Sequence, residues 1–169
     1  MKNILLVAAE NSAETYAVQI VKEFAARGGG FHFWGIGGDR LAASGFENLV
    51  HNRSLSVVGI VEVAAHLFRI RRVLHLVFRQ ALERHADAAL LIDYPDFNLR
   101  LARRLRGAGI PVYYYISPTV WAWRYGRVEQ IRRWVSRLFV IFPFEVPIYE
   151  EEKVTFTFTG HPLLAQVRV

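Results

Sequence analysis

A short apolar run that stops abruptly in acid and proline limits the folds open to this chain. Ala88 to Ile92 is apolar throughout, and Asp93-Tyr94-Pro95-Asp96 follows at once. A run of that length, bounded by turn chemistry, reads as a strand buried on both faces. Beyond it Leu99, Leu101, Ala102 and Leu105 recur at helical spacing, interleaved with Arg100, Arg103, Arg104 and Arg106. Pro95 suits a first helical turn, where its missing N–H removes no hydrogen bond. The pattern predicts strand, tight turn and helix, with Asp93 at the carboxyl end of a central strand. In open α/β sheets, ligands bind outside those ends.

The same alternation runs through the rest of the chain. Asn3 to Ala8 reads as a strand, followed by a helix to about Arg27 with Ala17, Ile20, Val21 and Phe24 as its inner face and Ser12 or Asn11 as its cap. Gly28-Gly29-Gly30 stops that helix. Phe31 to Trp34 is a second strand, Gly35-Ile36-Gly37-Gly38-Asp39 a turn into a short helix, and Glu47 to Val50 a third strand. Pro111 to Ile116, Leu138 to Ile141 and Val154 to Thr159 complete the strands, with a basic helix over Tyr125 to Val135 and a short helix ending at Glu152. Strand and helix in strict alternation predict an α/β fold, a doubly wound, Rossmann-like parallel sheet.

Composition narrows the function classes. The 169 residues are 53% hydrophobic and 21% charged, enough for one domain with a full core and unlike a disordered chain. The absence of cysteine excludes disulfides, zinc–thiolate sites and a cysteine nucleophile. The six histidines show no HxxxH or HExxH spacing, so no metal site is expected. The net charge of +6 is carried almost wholly by arginine, which points to an anionic partner, because the guanidinium fork matches phosphate. Nucleic acid would fit the charge, but the aromatics are not interleaved with basic residues as a stacking platform, so no nucleic-acid partner is expected. Met1-Lys2 runs straight into a strand and no apolar stretch is long enough for a bilayer. The expectation is a cytoplasmic protein that touches a membrane.

Several residues invite a chemical role, each with a structural alternative. Asp93 at a strand end suits a general base, or a carboxylate that caps a helix or pairs with arginine. Asp96 suits helix-end stabilisation. Asn98, from the same turn, suits substrate orientation or plain exposure. In the loop Ala9-Glu10-Asn11-Ser12-Ala13-Glu14, Glu10 suits the orientation of a sugar hydroxyl and Ser12 a helix cap. Gly37 and Gly38 suit a ligand-facing turn or simply a tight one. Ser117-Pro118-Thr119-Val120-Trp121-Ala122-Trp123-Arg124 should face Asp93 across the rim. Trp121 and Trp123 there suit stacking on a sugar or acyl chain, or core filling. Arg124 and Arg127 suit phosphate contacts. Between Leu55 and Arg84 the residues Val61, Val63, Ala64, Leu67, Phe68, Ile70 and Leu74 exceed what one core-facing stripe needs, and arginines interrupt them. That is the pattern of a helix lying in a membrane interface, or of one packed on two sides.

Taken together, Gly35-Ile36-Gly37-Gly38, Leu55 to Val63, Ile92 to Leu99, Ser117 to Arg124, Phe142-Pro143-Phe144-Glu145 and Gly160-His161-Pro162-Leu163 resemble, in order, the N-terminal half of the lipid-A-disaccharide synthases. These are glycosyltransferases of the two-domain B fold. The resemblance implies transfer of diacylglucosamine from UDP-2,3-diacylglucosamine to 2,3-diacylglucosamine 1-phosphate at the cytoplasmic face of the inner membrane, with release of UDP and with no cofactor. It places the family's catalytic base on Asp93, its first-loop glutamate on Glu10 and its acyl-binding helix on Val61 to Phe78. Substrate contacts fall on Ser12, Gly37, Gly38, Asn98, Ser117, Trp121, Trp123 and Arg124. Residues 1–160 would form the acceptor-binding domain and residues 161–169 the start of a linker, the donor-binding domain lying outside this chain. Partners implied are the two glycolipids, the inner-membrane surface, and either a second copy or a separate donor domain. The family's first loop carries two glycines and an aspartate where this chain has Ala9, Ala13 and Glu14. A non-catalytic lipid-binding domain and a simple nucleotide-binding domain are the alternatives.

Overall fold

The computed structural model describes residues 1–55, 63–118, 120 and 125–162, with backbone alone for 63–66. Its strands are β1 (Lys2–Ala8), β2 (Phe31–Gly37), β3 (Glu47–His51), β4 (Ala88–Ile92), β5 (Val112–Tyr115), β6 (Arg137–Val140) and β7 (Phe156–Phe158). Between them run α1 (Asn11–Ala26), α2 (Asp39–Ala42), α3 (Val63–Glu83), α4 (Pro95–Gly107), α5 (Gly126–Trp134) and α6 (Val146–Glu151). The strands form one seven-stranded sheet in the order β3-β2-β1-β4-β5-β6-β7, and every neighbouring pair is parallel. The chain winds outward from β1 to β3, then returns through α3 to lay β4 on the other side of β1. The winding therefore reverses between β1 and β4, where Ala8 stands opposite Ile92. Side-by-side strands whose crossovers leave in opposite directions open a crevice above their carboxyl ends.

The apolar runs explain the layering. Leu5 to Ala8 is fully buried, so both faces of β1 need cover. On one face Val73 and Val77 of α3, Leu101 and Leu105 of α4 and Ile131 of α5 pack in one core with Val7, Leu91, Tyr114 and Leu138. On the other face Ala13, Ala17 and Val21 of α1 pack with Leu6, Ala8 and Phe33. Cover on that second face is uneven. Leu90, Tyr113, Tyr115 and Phe139, with Phe24 and Phe31, line an open apolar hollow of about 720 Å³.

Three boundaries depart from the sequence expectation. β2 runs on through Gly37 instead of turning at Gly35, and its register with β3 slips between Gly35 and Ile36. Gly35 sits at φ +139°, and a Cβ there would lie 2.3 Å from the Leu6 carbonyl oxygen, so the glycine lets two strands close up. α1 begins at Asn11, with Glu10 at the N-cap position and no side-chain cap bond, so neither Ser12 nor Asn11 caps it. β7 is shorter than the Val154–Thr159 expected.

Candidate active site at the reversal of strand order

Asp93 leaves β4 where the winding reverses. Its N–H continues the sheet by donating to the Tyr115 carbonyl at 3.0 Å. The chain then turns through two successive left-handed residues, Asp93 at φ 50° and Tyr94 at φ 45°. Neither is glycine, and each such residue costs about 1–3 kcal/mol. Two side chains hold the turn. Asn98, with 0% of its surface exposed, donates from Nδ2 to the carbonyls of Asp93 (2.7 Å) and Ile92 (3.2 Å). The Tyr114 hydroxyl, from β5, donates to the Asp93 carbonyl at 2.6 Å. The network grips the backbone of Asp93 and leaves its half-buried carboxyl group outside those bonds, where the Tyr94 N–H supports it.

Glu10 follows the end of the neighbouring β1, near enough for the Asp93 charge to act on it. Partial burial pushes the Asp93 carboxyl above the usual aspartate range, against the pull of the Tyr94 N–H. Partial desolvation, and then the negative charge of Asp93, push Glu10 above the usual glutamate range. Two acids that hold their protons more tightly than usual, on adjacent strand ends, form a pair suited to accepting and sharing protons. Tyr114, wholly buried behind them, is pushed well above the ordinary tyrosine range, by burial first and then by the Asp93 charge, so it stays a hydrogen-bond donor.

The neighbouring corner uses its acid differently. Glu14 on α1 is buried, and its Oε1 accepts the Leu41 N–H of α2 at 2.9 Å. Arg40 stands 3.7 Å from its other oxygen. A Cβ on Gly38 would lie 2.5 Å from Glu14, and one on Gly37 would lie 2.6 Å from Leu41. Gly37 and Gly38 thus allow α1, α2 and β2 to close on one another, the tight-turn role weighed from sequence.

The remaining candidates divide clearly. Asn98 supports the Asp93 turn from beneath, with no surface in the crevice. Ser12 is exposed at the start of α1. Ser117 is buried beside Glu145 and Tyr149. Burial pushes Glu145 up, eased by the Ser117 hydroxyl and the Phe142 N–H, and pushes Tyr149 up as well. Asp96 pairs with Arg127 at 2.7 Å. Trp121, Trp123, Arg124 and Val61 lie outside the described residues, as do the side chains of Val63 and Ala64. On α3, Leu74 is a core residue and Ile70 is partly buried, whereas Leu67 and Phe68 stay 52% and 58% exposed. Sequence reading gave no role to Glu14, Tyr114 or Glu145. The resemblance quoted Phe142 to Glu145 without one, and nothing local pairs Glu14 with Leu41 across 27 positions.

Comparison with solved structures gives the class first. MurG of Acinetobacter baumannii superposes with a TM-score of 0.61 at 17% identity, over 96% of this chain and 46% of that one. Apo UGT2 of Phytolacca americana gives 0.61 at 12%, over 95% of this chain and 52% of that one. The fold is the Rossmann-like half of the glycosyltransferase B architecture. A family model described as lipid-A-disaccharide synthetase matches residues 4–169, and the chain belongs to that family. The lipid-A-disaccharide synthase of Myxococcus xanthus is 47% identical over 164 residues, which are 97% of this chain and 43% of that protein. That of Geobacter sulfurreducens is 47% identical over 165 residues, 98% of this chain and 43% of the relative. The chain thus spans under half the length of the curated relatives it matches.

Proposed function

We propose that this chain supplies the acceptor side of a lipid-A-disaccharide synthase. The reaction joins UDP-2,3-diacylglucosamine to 2,3-diacylglucosamine 1-phosphate. Asp93 takes the proton of the attacking acceptor hydroxyl, whose oxygen forms the new bond to the anomeric carbon. The bond to UDP breaks on the opposite face, so the anomeric configuration inverts. Glu10 orients the sugar from the neighbouring strand end. The donor would be held chiefly by a second domain like the remainder of the relatives. The chain works at the cytoplasmic face of the inner membrane, where Leu67 and Phe68 on α3 enter the apolar layer and bring the acyl chains within reach. No helix among the described residues is long and apolar enough to cross a membrane, in keeping with contact from one side.

The observation that carries this reading is the main-chain clamp on Asp93, which fixes the position of a carboxyl group without consuming it. The test is disaccharide formation on mixing the chain with a separately expressed donor domain, for the native sequence and for Asp93→Asn. Product from the native pair and none above background from the variant supports the assignment. Equal turnover by both removes Asp93 as the base. A native pair that binds glycolipid but forms no disaccharide favours a non-catalytic lipid-binding domain.

A further inference from the structure

A second concave surface lies on the helical side of the sheet. α3, α4 and α5 bound an open groove of about 920 Å³ that starts at Pro95 and Asp96 and runs down α4 to Arg104. Its far end at Arg104 lies eight residues of helix, about 12 Å, beyond Asp96, and its lining includes neither Asp93 nor Glu10. Its charge is one-sided. Arg71, Arg100, Arg103, Arg104 and Arg127 line it, against Asp96 as the only acid among its described lining residues. Asp96 is engaged by Arg127. Among the described residues, Arg71, Arg100 and Arg104 form no ion pair, and Arg103 rests over the Trp134 ring at 5.8 Å. Arg100, Arg103 and Arg104 share one face of α4 by their spacing. Like charges gathered in a concavity focus a positive potential that an anion relieves, and guanidinium groups favour phosphate.

The rest of the lining is apolar. Ile70 and Leu74 of α3, Leu99 of α4 and Trp134 of α5 contribute to it. Exposed Leu67 and Phe68 lie one turn before Ile70 on α3, with Arg72 stacked 4.5 Å from the Phe68 ring. Apolar side chains beside a cluster of guanidinium groups suit a phosphate attached to an apolar body better than free inorganic phosphate. We propose that this groove binds the phosphate of an anionic membrane lipid, a site separate from the Asp93–Glu10 crevice. The proposal rests on the membrane contact of the proposed function and adds its polar half: Leu67 and Phe68 enter the apolar layer while the groove takes a headgroup.

The test is sedimentation of the chain with vesicles of phosphatidylcholine alone and with a phosphatidylglycerol admixture, using two double variants. Arg100→Gln/Arg104→Gln removes exposed groove charge without touching the core. Leu67→Ser/Phe68→Ser removes the apolar contact. The native chain is expected to prefer the phosphatidylglycerol vesicles and to lose that preference in high salt. The arginine variant is expected to bind them roughly thirtyfold more weakly at an unchanged melting temperature. Native-level binding by the arginine variant while the serine variant falls off overturns the groove and leaves the membrane reading standing. Equal binding to both vesicle types also overturns it. No vesicle binding by the native chain overturns both readings. Inorganic phosphate is the remaining arm. If it saturates the native groove and displaces the chain from vesicles at low millimolar concentration, the ligand is a soluble phosphate and the lipid assignment fails.

Discussion

Two corners of the sheet's ligand-binding edge each hold a partly or fully buried acid, and they hold it in opposite ways. At the β1–β2 corner the side chain of Glu14 is the structural element: its carboxylate takes a backbone N–H from α2 and fills the space that Gly38 leaves open. At the β4 corner the backbone of Asp93 is the structural element: Asn98 and Tyr114 bind its carbonyl, and its carboxyl group is left over. A carboxyl group turned inward to hold other elements together is not presented to a substrate. One whose main chain is held by others can be. Burial alone would rank Glu14 as the more unusual acid, whereas the hydrogen bonding singles out Asp93 as the candidate base.

Substitutions at the two corners should therefore part company. The largest effect is expected for Asp93→Asn, with turnover in the reconstituted assay reduced about a thousandfold and melting temperature held. With Asp93 as the proposed base, the rate follows its ionised form, and burial raises its pKa. Activity should therefore fall with decreasing pH earlier than for an ordinary aspartate, the acid limb of the pH profile lying above the usual aspartate range. Next, Asn98→Ala removes the amide donor shared by the Ile92 and Asp93 carbonyls and loosens the left-handed turn, which Tyr114 alone then holds. A loss of about 2–3 kcal/mol in denaturant unfolding is expected, together with slower turnover by the folded fraction. Glu14→Ala should cost about 1–3 kcal/mol, because the Leu41 N–H is left buried without an acceptor. Turnover per folded molecule should change little, and a large loss there would erase the contrast between the corners. Tyr114→Phe removes one of the two donors to the Asp93 carbonyl, for about 1 kcal/mol. The smallest effect is electrostatic. Carboxyl titration by NMR should show Glu10 falling back toward its ordinary value of 4.5 in Asp93→Asn, since the charge that helps raise it is gone.

Much of this architecture could be read from the sequence, because it is written in local patterns. The apolar run ending at Ile92, Pro95 in the next turn and the 3.6-residue recurrence of Leu101 and Leu105 define a strand end and a helix start without help from distant residues. Asp93 is therefore legible, and Glu10 follows from the same logic at the end of β1. Asn98 was left between orientation and exposure, because helical spacing does not tell whether a polar residue near a helix start turns inward to support a strained turn. Glu14 was invisible as a tie, since its partner Leu41 is remote in the chain and any acidic residue on α1 looks solvent-facing. The surplus of apolar residues on α3 leaves a membrane-interface helix and one packed on two sides both open from sequence. The structure divides it, sending Val73, Leu74 and Val77 into the core and leaving Leu67 and Phe68 outside. Composition announces the surplus, but only the packing of α4 against α3 decides which part is consumed.

The pairing of Ala8 with Ile92 has a consequence for redesign. Because β1 and β4 are hydrogen-bonded neighbours about 4.8 Å apart, the segments that carry Glu10 and Asp93 leave the sheet side by side. Grafting a longer or glycine-rich segment after Glu10 would remodel what the crevice admits while leaving the acids at their original spacing. Reach and chemistry could then be varied independently at this edge, with the proposed acids left in place.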